Sequence, residues 1–190
     1  MENIALRAAE TALVLIDLQH AIVGLNVSPY SGAQVVENSR RLAEAMRAKG
    51  GTVVYVRVLI NEMLPVEADV VQRRAGDPPV PAIACEIVPE AGMREGDVAI
   101  AKRQWGAFEG TGLDQQLRRR GIKTIVMAGI ATNIGVESTA RAAFDLGYRL
   151  VFAEDAMSSM GEDMHRFAVE KIFPRMGHVR SADAVIAALA

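Results

Sequence analysis

Three places in the sequence put reactive residue types where a β-strand should end. Asp17 closes the apolar run TALVLI, Lys102 closes VAIAK, and the segment Gly129-Ile-Ala-Thr-Asn-Ile-Gly135 joins a third apolar run to a helix. A carboxyl group suits proton transfer near neutral pH once its surroundings lift its pKa, and an ammonium nearby can hold an anionic group or developing negative charge. The helix after the glycine-framed segment begins with N–H groups that lack intrahelical partners, and the positive end of its dipole favours an anion. Thr132 or Asn133 can cap it. Gly135 falls in its first turn, where glycine costs up to about 1 kcal/mol against alanine, a cost that points to a need for room or close backbone approach.

Each feature also has a plainer reading. A carboxylate that closes an apolar strand can simply cap a turn, a lysine there can be a solvated charge, and Gly135 can ease packing of helix on sheet. The coincidence of all three at strand ends favours a site, because in open α/β sheets the ligand crevice lies beyond the carboxyl ends of the strands.

The elements that must position these residues follow from periodicity. Thr11 to Ile16 and Thr52 to Val58 (TVVYVRV) are continuous apolar or β-branched runs, the pattern of strands buried on both faces of a parallel sheet. Between them Val35, Val36, Ser39, Leu42, Ala43 and Met46 recur at helical spacing, Glu37, Arg40, Arg41, Glu44 and Arg47 take the opposite face, and Gly50-Gly51 ends the helix. Strand and helix then alternate: strand Asp97 to Ala101, helix Gly112 to Arg120, strand Lys123 to Met127, helix Asn133 to Leu146. Next come strand Arg149 to Ala153, helix Glu162 to Ile172, a short strand near Val179 and helix Ala182 to Leu189. This predicts an α/β fold, a doubly wound parallel sheet of about six strands with helices on both faces. Residues 60 to 96 interrupt the alternation with five of the seven prolines, as a lid, a binding loop or a subunit contact would.

With 190 residues and 51% hydrophobic composition, residues 1–190 are expected to form a single domain. A formal charge of −2, from 21 basic and 23 acidic residues, provides no bulk field for nucleic acid or an anionic membrane. The N-terminal apolar run breaks at Asp17, too soon for a secretory signal or a membrane span. Cys85 stands alone, so no intrachain disulfide or Cys-x-x-Cys pair can form, and a cytoplasmic setting suits that count. His20, His165 and His178 are scattered; His20 is a candidate for the pocket rim, and no histidine is spaced to activate Thr132 or Ser138. DLQHAIVG after the first strand lacks the G-x-G-x-x-G of a dinucleotide fold. Arg57, near a strand end, is a candidate carboxylate clamp. Arg118-Arg119-Arg120 closes a helix, where positive charge complements the dipole.

ALVLIDLQ, followed later by AKRQWGAFEGTGLDQQLRRRGIKTIVMAGIATNIGVESTARAAFDLGYRLVFAEDAMSS, resembles the isochorismatase-like (cysteine hydrolase) superfamily across nearly the whole chain, residues 60 to 96 matching least. The resemblance implies that Asp17 and Lys102 are the catalytic Asp and its partner Lys, and that Gly135 stands where most members place a nucleophilic cysteine. It also implies a non-proline cis bond between Ile130 and Ala131. Gln19, Trp105, Phe108, Ala131, Thr132 and Ile134 become the candidate substrate-binding residues, although Trp105 and Phe108 fit core packing equally well.

Glycine at position 135 removes the thiolate that amidase members use, and Cys85 matches no family nucleophile. Isochorismatases within the family also carry glycine there, and their vinyl ether cleavage needs an acid and a water rather than a nucleophilic side chain. The reading favoured is therefore cofactor-free hydrolysis of a small carboxylated substrate, Asp17 donating the proton and Lys102 holding a carboxylate or developing anion. Lys102 alone would lower the Asp17 pKa, so burial or a substrate carboxylate must offset it. TNIGVESTAR is worded more like the cysteine hydrolases, which keeps open a silent pocket or an amidase that has lost its cysteine. VYVRVLINEM lacks the histidine of the nicotinamidase metal site, so no metal is expected. Relatives imply a dimer or tetramer of identical chains.

Overall fold

The computed structural model describes residues 4–71, 73–74 and 76–190. Six strands, β1 (Thr11–Ile16), β2 (Thr52–Val58), β3 (Val98–Lys102), β4 (Thr124–Ile130), β5 (Arg149–Ser158) and β6 (Gly177–Arg180), form one parallel sheet in the order β3-β2-β1-β4-β5-β6. Every residue of β1 is buried. Its alternate side chains feed two cores: Leu13 and Leu15 pack with Leu42, Met46 and Val185 on one side, and Val14 and Ile16 with Leu113, Leu117 and Ala140 on the other. Helices therefore cover both faces, and the predicted doubly wound, six-stranded α/β architecture is the one observed.

The helices are α1 (His20–Val23), α2 (Gly32–Ala48), α3 (Leu113–Arg118), α4 (Glu137–Asp145), α5 (Glu162–Phe167) and α6 (Ala182–Ala188). α2 starts three residues before its apolar stripe because Ser31 and Gln34 close a capping box: the Gln34 N–H donates to Ser31 Oγ at 3.3 Å and the Ser31 N–H to Gln34 Oε1 at 2.9 Å. Two helices expected to run unbroken instead contain π-helical turns, Thr132–Val136 ahead of α4 and Ala168–Ile172 after α5. The second leads directly into Pro174, whose ring nitrogen cannot supply a helical N–H. β4 and β5 run past their expected ends at Met127 and Ala153. Gly129, at φ 119, lies opposite Ile16, and a Cβ there would stand 2.1 Å from the Ile16 carbonyl oxygen. Glycine thus lets the end of β4 close against the end of β1.

The chain leaves β1 toward β2 and β3 on one side and returns to β4 on the other, so the strand order reverses between β1 and β4, the place where such sheets bind ligands. The irregular stretch contributes from one flank. The Val88 N–H donates to the Leu18 carbonyl, the His20 N–H to the Glu86 carbonyl, and Cys85 is buried with its Sγ accepting from the Ile60 N–H. This ties residues 82–91 to the loop after β1, whereas Leu64, Val66 and Val70 are exposed. Among the described residues no helix is long and apolar enough to cross a membrane.

Candidate active site

At the reversal point the backbone of Asp17 takes φ 54, a left-handed conformation unusual for a residue other than glycine. Its N–H still extends the sheet by donating to the Val56 carbonyl at 2.9 Å. The turn directs the carboxyl group to Lys102, which reaches across from β3, and Oδ2 lies 2.8 Å from Nζ. A backbone held in this way at a strand end is the kind of local cost that functional sites retain.

Both charged side chains are almost out of water, Lys102 at 2% and Asp17 at 9% exposure. The ammonium also donates to the Trp105 carbonyl at 2.6 Å. Asp17 Oδ1, by contrast, is buried without a hydrogen-bond partner among the described residues. Desolvation pushes the Asp17 pKa up to about 6, against the opposing pull of the Lys102 charge and hydrogen bond. Burial thus wins the contest posed by the sequence. Oδ2 is committed to Lys102, which makes Oδ1 the oxygen available to carry a proton.

Gly135 borders this pair. A Cβ at that position would lie 3.0 Å from Ile16 Cγ2, 3.2 Å from Asp17 Oδ2 and 3.2 Å from Lys102 Nζ. The π-helical turn presents the glycine there: the Val136 N–H reaches back to the Ala131 carbonyl at 3.1 Å. Thr139 Oγ1 donates to the Gly135 carbonyl at 2.7 Å and accepts from the Ala107 N–H at 3.1 Å, tying the loop after β3 to α4. The Ile130–Ala131 peptide is cis, as the resemblance implied.

Asp17, Lys102 and Gly135 are therefore brought together, and Ala131 and Thr132 stand on the turn that leads to Gly135. Other candidates are placed differently. Gln19 is fully buried with both ends of its amide on Val58, Nε2 donating to the carbonyl at 3.0 Å and Oε1 accepting from the N–H at 2.6 Å; it splints the ends of β1 and β2 rather than facing a substrate. Phe108 packs in the core, its ring 5.9 Å from that of Tyr148. Trp105 is 53% exposed, and its backbone carbonyl meets Lys102. Ile134 is half-buried against the core on the α2 side. His20 is exposed.

The expectation that no histidine serves Thr132 is corrected. His165, on α5 and only 2% exposed, places Nδ1 2.8 Å from Thr132 Oγ1. Burial holds this imidazole below its ordinary pKa. The residues lie 33 apart, and the sequence signal was faint: a histidine set between Met164 and Phe167 in a helix that must cover the sheet. Arg57 is also repositioned. It follows Tyr55 on the α2 side of β2, whereas Lys102 follows Ile100 on the opposite side. Surface cavities of about 410 and 530 Å³ lie away from the Asp17–Lys102 pair. Among the described residues no cluster of three or more His, Cys, Asp or Glu is arranged to hold a metal ion.

A buried carboxyl that titrates near neutrality, one of its oxygens free, beside an ammonium and a glycine whose backbone packs directly against the pair, can protonate a substrate and hold its anionic group. The isochorismatase domain model matches residues 11–184. The chain belongs to the isochorismatase family. It is 45% identical to the uncharacterized isochorismatase family protein YwoC of Bacillus subtilis (strain 168), over 96% of each chain. An isochorismatase family protein from Burkholderia thailandensis has the same fold, with a TM-score of 0.92, 43% identity and 98% of each chain covered. The ureidoacrylate amidohydrolase RutB of Agrobacterium fabrum (strain C58 / ATCC 33970) is 31% identical over 90% of this chain and 88% of its own. Family membership makes the chain one of a group of hydrolases.

Proposed function

We propose that this member of the isochorismatase family hydrolyses a small carboxylated vinyl ether of the isochorismate type, without cofactor or nucleophilic cysteine. The observation that carries the reading is the state of Asp17: buried, lifted to about 6, with Oδ1 unpaired while Oδ2 meets Lys102. By the family resemblance Gly135 stands in the nucleophile's position, and the contacts its missing Cβ would make with the Asp17–Lys102 pair support a site built around glycine.

Asp17 gives its Oδ1 proton to the terminal methylene of the enol ether, producing an oxocarbenium ion. Water adds to the cationic carbon and returns a proton to the carboxylate. The resulting hemiketal then collapses with cleavage of the bond from that carbon to the ether oxygen, giving a 2-oxo acid and an alcohol. Lys102 holds the carboxylate of the enolpyruvyl group, which also offsets its pull on the Asp17 proton. General acid catalysis of this kind contributes about 10²- to 10⁴-fold. The same reading carries one domain over residues 1–190, no nucleic-acid or membrane partner, and a dimer or tetramer of identical chains.

The likeness to an amidohydrolase favours a second reading, an amidase site that has lost its cysteine and is now silent. Pyruvate release from isochorismate by the purified protein, beside Asp17→Ala, separates the two. Turnover by the wild type and its loss in the variant are expected. Absence of turnover in the wild type, together with amide hydrolysis gained by Gly135→Cys, would overturn the proposal in favour of the second reading.

A further inference from the structure

On the opposite side of the sheet from Lys102, a cavity of about 410 Å³ opens beside the edge strand β3. Its floor is Tyr55 and Arg57 of β2 and Ala99 of β3, and its walls are Glu86 to Pro89 with Met93. A volume of this size lies within the roughly 300–1,000 Å³ typical of small-molecule pockets. Among the described residues none of the helices α1 to α6 lines it.

Arg57 sets the cavity apart. The residue is half-buried, yet its guanidinium makes no hydrogen bond or ion pair with any described residue. The Tyr55 hydroxyl donates to the Ala91 carbonyl at 2.7 Å, and Arg47 is held by Asp97 at 2.5 Å with its Nη1 buried and unpaired among the described residues. Glu86 is exposed at the rim and lies beyond ion-pair distance of Arg57. The cavity therefore combines a planar fork of unused donors with the apolar surfaces of Ile87, Val88, Pro89 and Met93.

We propose that this cavity is a second ligand site, separate from the Asp17–Lys102 pair, for a small monocarboxylate with an apolar body. The guanidinium fork matches the two oxygens of one carboxylate. Ile87, Val88 and Met93 cover the hydrocarbon part. Glu86 at the rim repels a further negative charge, so dicarboxylates and phosphate esters are disfavoured. The site is coupled by backbone to the loop after β1, because Ile87 bridges to Gln19 and the Glu86 carbonyl accepts from the His20 N–H.

The test is an amide NMR titration of the full chain with benzoate, with neutral benzamide and doubly charged phthalate as comparison probes. Saturable benzoate shifts are expected at Ile87, Met93 and Ala99, with benzamide and phthalate each at least tenfold weaker. Arg57→Met should weaken the benzoate response there at least tenfold, and Arg57→Lys should restore part of it. Equal binding of benzamide, an unchanged response in Arg57→Met, or no shift at these amides would overturn the proposal. Shifts there that follow protein concentration rather than benzoate would also overturn it, by showing that a second copy of the chain covers the face. Responses at Gly135 report the catalytic pair separately, so failure of this site and failure of the proposed activity are distinguishable.

Discussion

Replacing Lys102 with methionine gives a stability change whose dependence on pH follows from the structure. In the wild type Asp17 titrates at about 6 instead of its ordinary 3.8. Folded protein keeps this proton over a range where unfolded protein has released it, so stability falls as pH rises from about 3.8 to 6 and is level above that. At 1.36 kcal/mol per pH unit the accumulated loss is about 3 kcal/mol. Lys102 is what keeps the pKa from rising further, through its charge and its 2.8 Å contact. Without it, the decline should continue past pH 6 to the variant's new, higher pKa. The stability difference between wild type and Lys102→Met should therefore be flat below about pH 6 and grow by about 1.4 kcal/mol per pH unit above it. By pH 7.5 it should exceed its pH 5 value by about 2 kcal/mol. Urea denaturation of both proteins at half-unit intervals from pH 5 to 8 measures this. A difference that is constant with pH, or that shrinks as pH rises, would refute the assignment of Asp17 as a carboxyl held up by burial and restrained by Lys102.

Other perturbations act on single contacts. Gly129→Ala should cost more than about 4 kcal/mol, because its Cβ would stand 2.1 Å from the Ile16 carbonyl oxygen at a φ of 119; loss of folded protein by circular dichroism checks it. Thr132→Val leaves His165 Nδ1 without its 2.8 Å partner and should cost about 1–3 kcal/mol in urea unfolding. The same imidazole is held below its ordinary pKa by burial, so proton NMR should find it mostly neutral at about pH 6.5, where an ordinary imidazole is half charged. Gly135→Ala should change stability by less than about 1 kcal/mol, since gained helix propensity offsets crowding. It should nevertheless lower vinyl ether turnover at least tenfold, because the new methyl presses on Asp17 Oδ2 and Lys102 Nζ, each 3.2 Å away.

The fold was legible because its strands are short apolar runs ended by charge or glycine and its helices carry one apolar stripe. Asp17 and Lys102 could be named because a strand end fixes where its last residue stands. Less visible was anything set by register or by contacts between distant segments. Thr132 meets His165 only after β5 and α5 have packed beside β4, and spacing along the chain carries no trace of that. Gln19 reads as a polar residue near a site, but its amide is spent on Val58, a partner known only once β1 and β2 are aligned. TVVYVRV is buried at five of its seven positions, on both faces of the sheet, which hides its two-residue alternation and with it the face that Arg57 takes. Asp17 posed a question of magnitude: its sign of shift depended on whether desolvation outweighs a neighbouring ammonium, and that required the burial of both groups.

The account rests on Asp17 delivering a proton that burial lets it keep, and the direct measurement is kcat/KM for isochorismate from pH 5 to 8.5, for the wild type and for Asp17→Asn. The profile of the wild type should fall as pH rises through about 6, the pKa of the free enzyme's acid. The variant should lose at least about 10²-fold across the range. A wild-type profile level through pH 6, or an Asp17→Asn protein that retains its turnover, would contradict it.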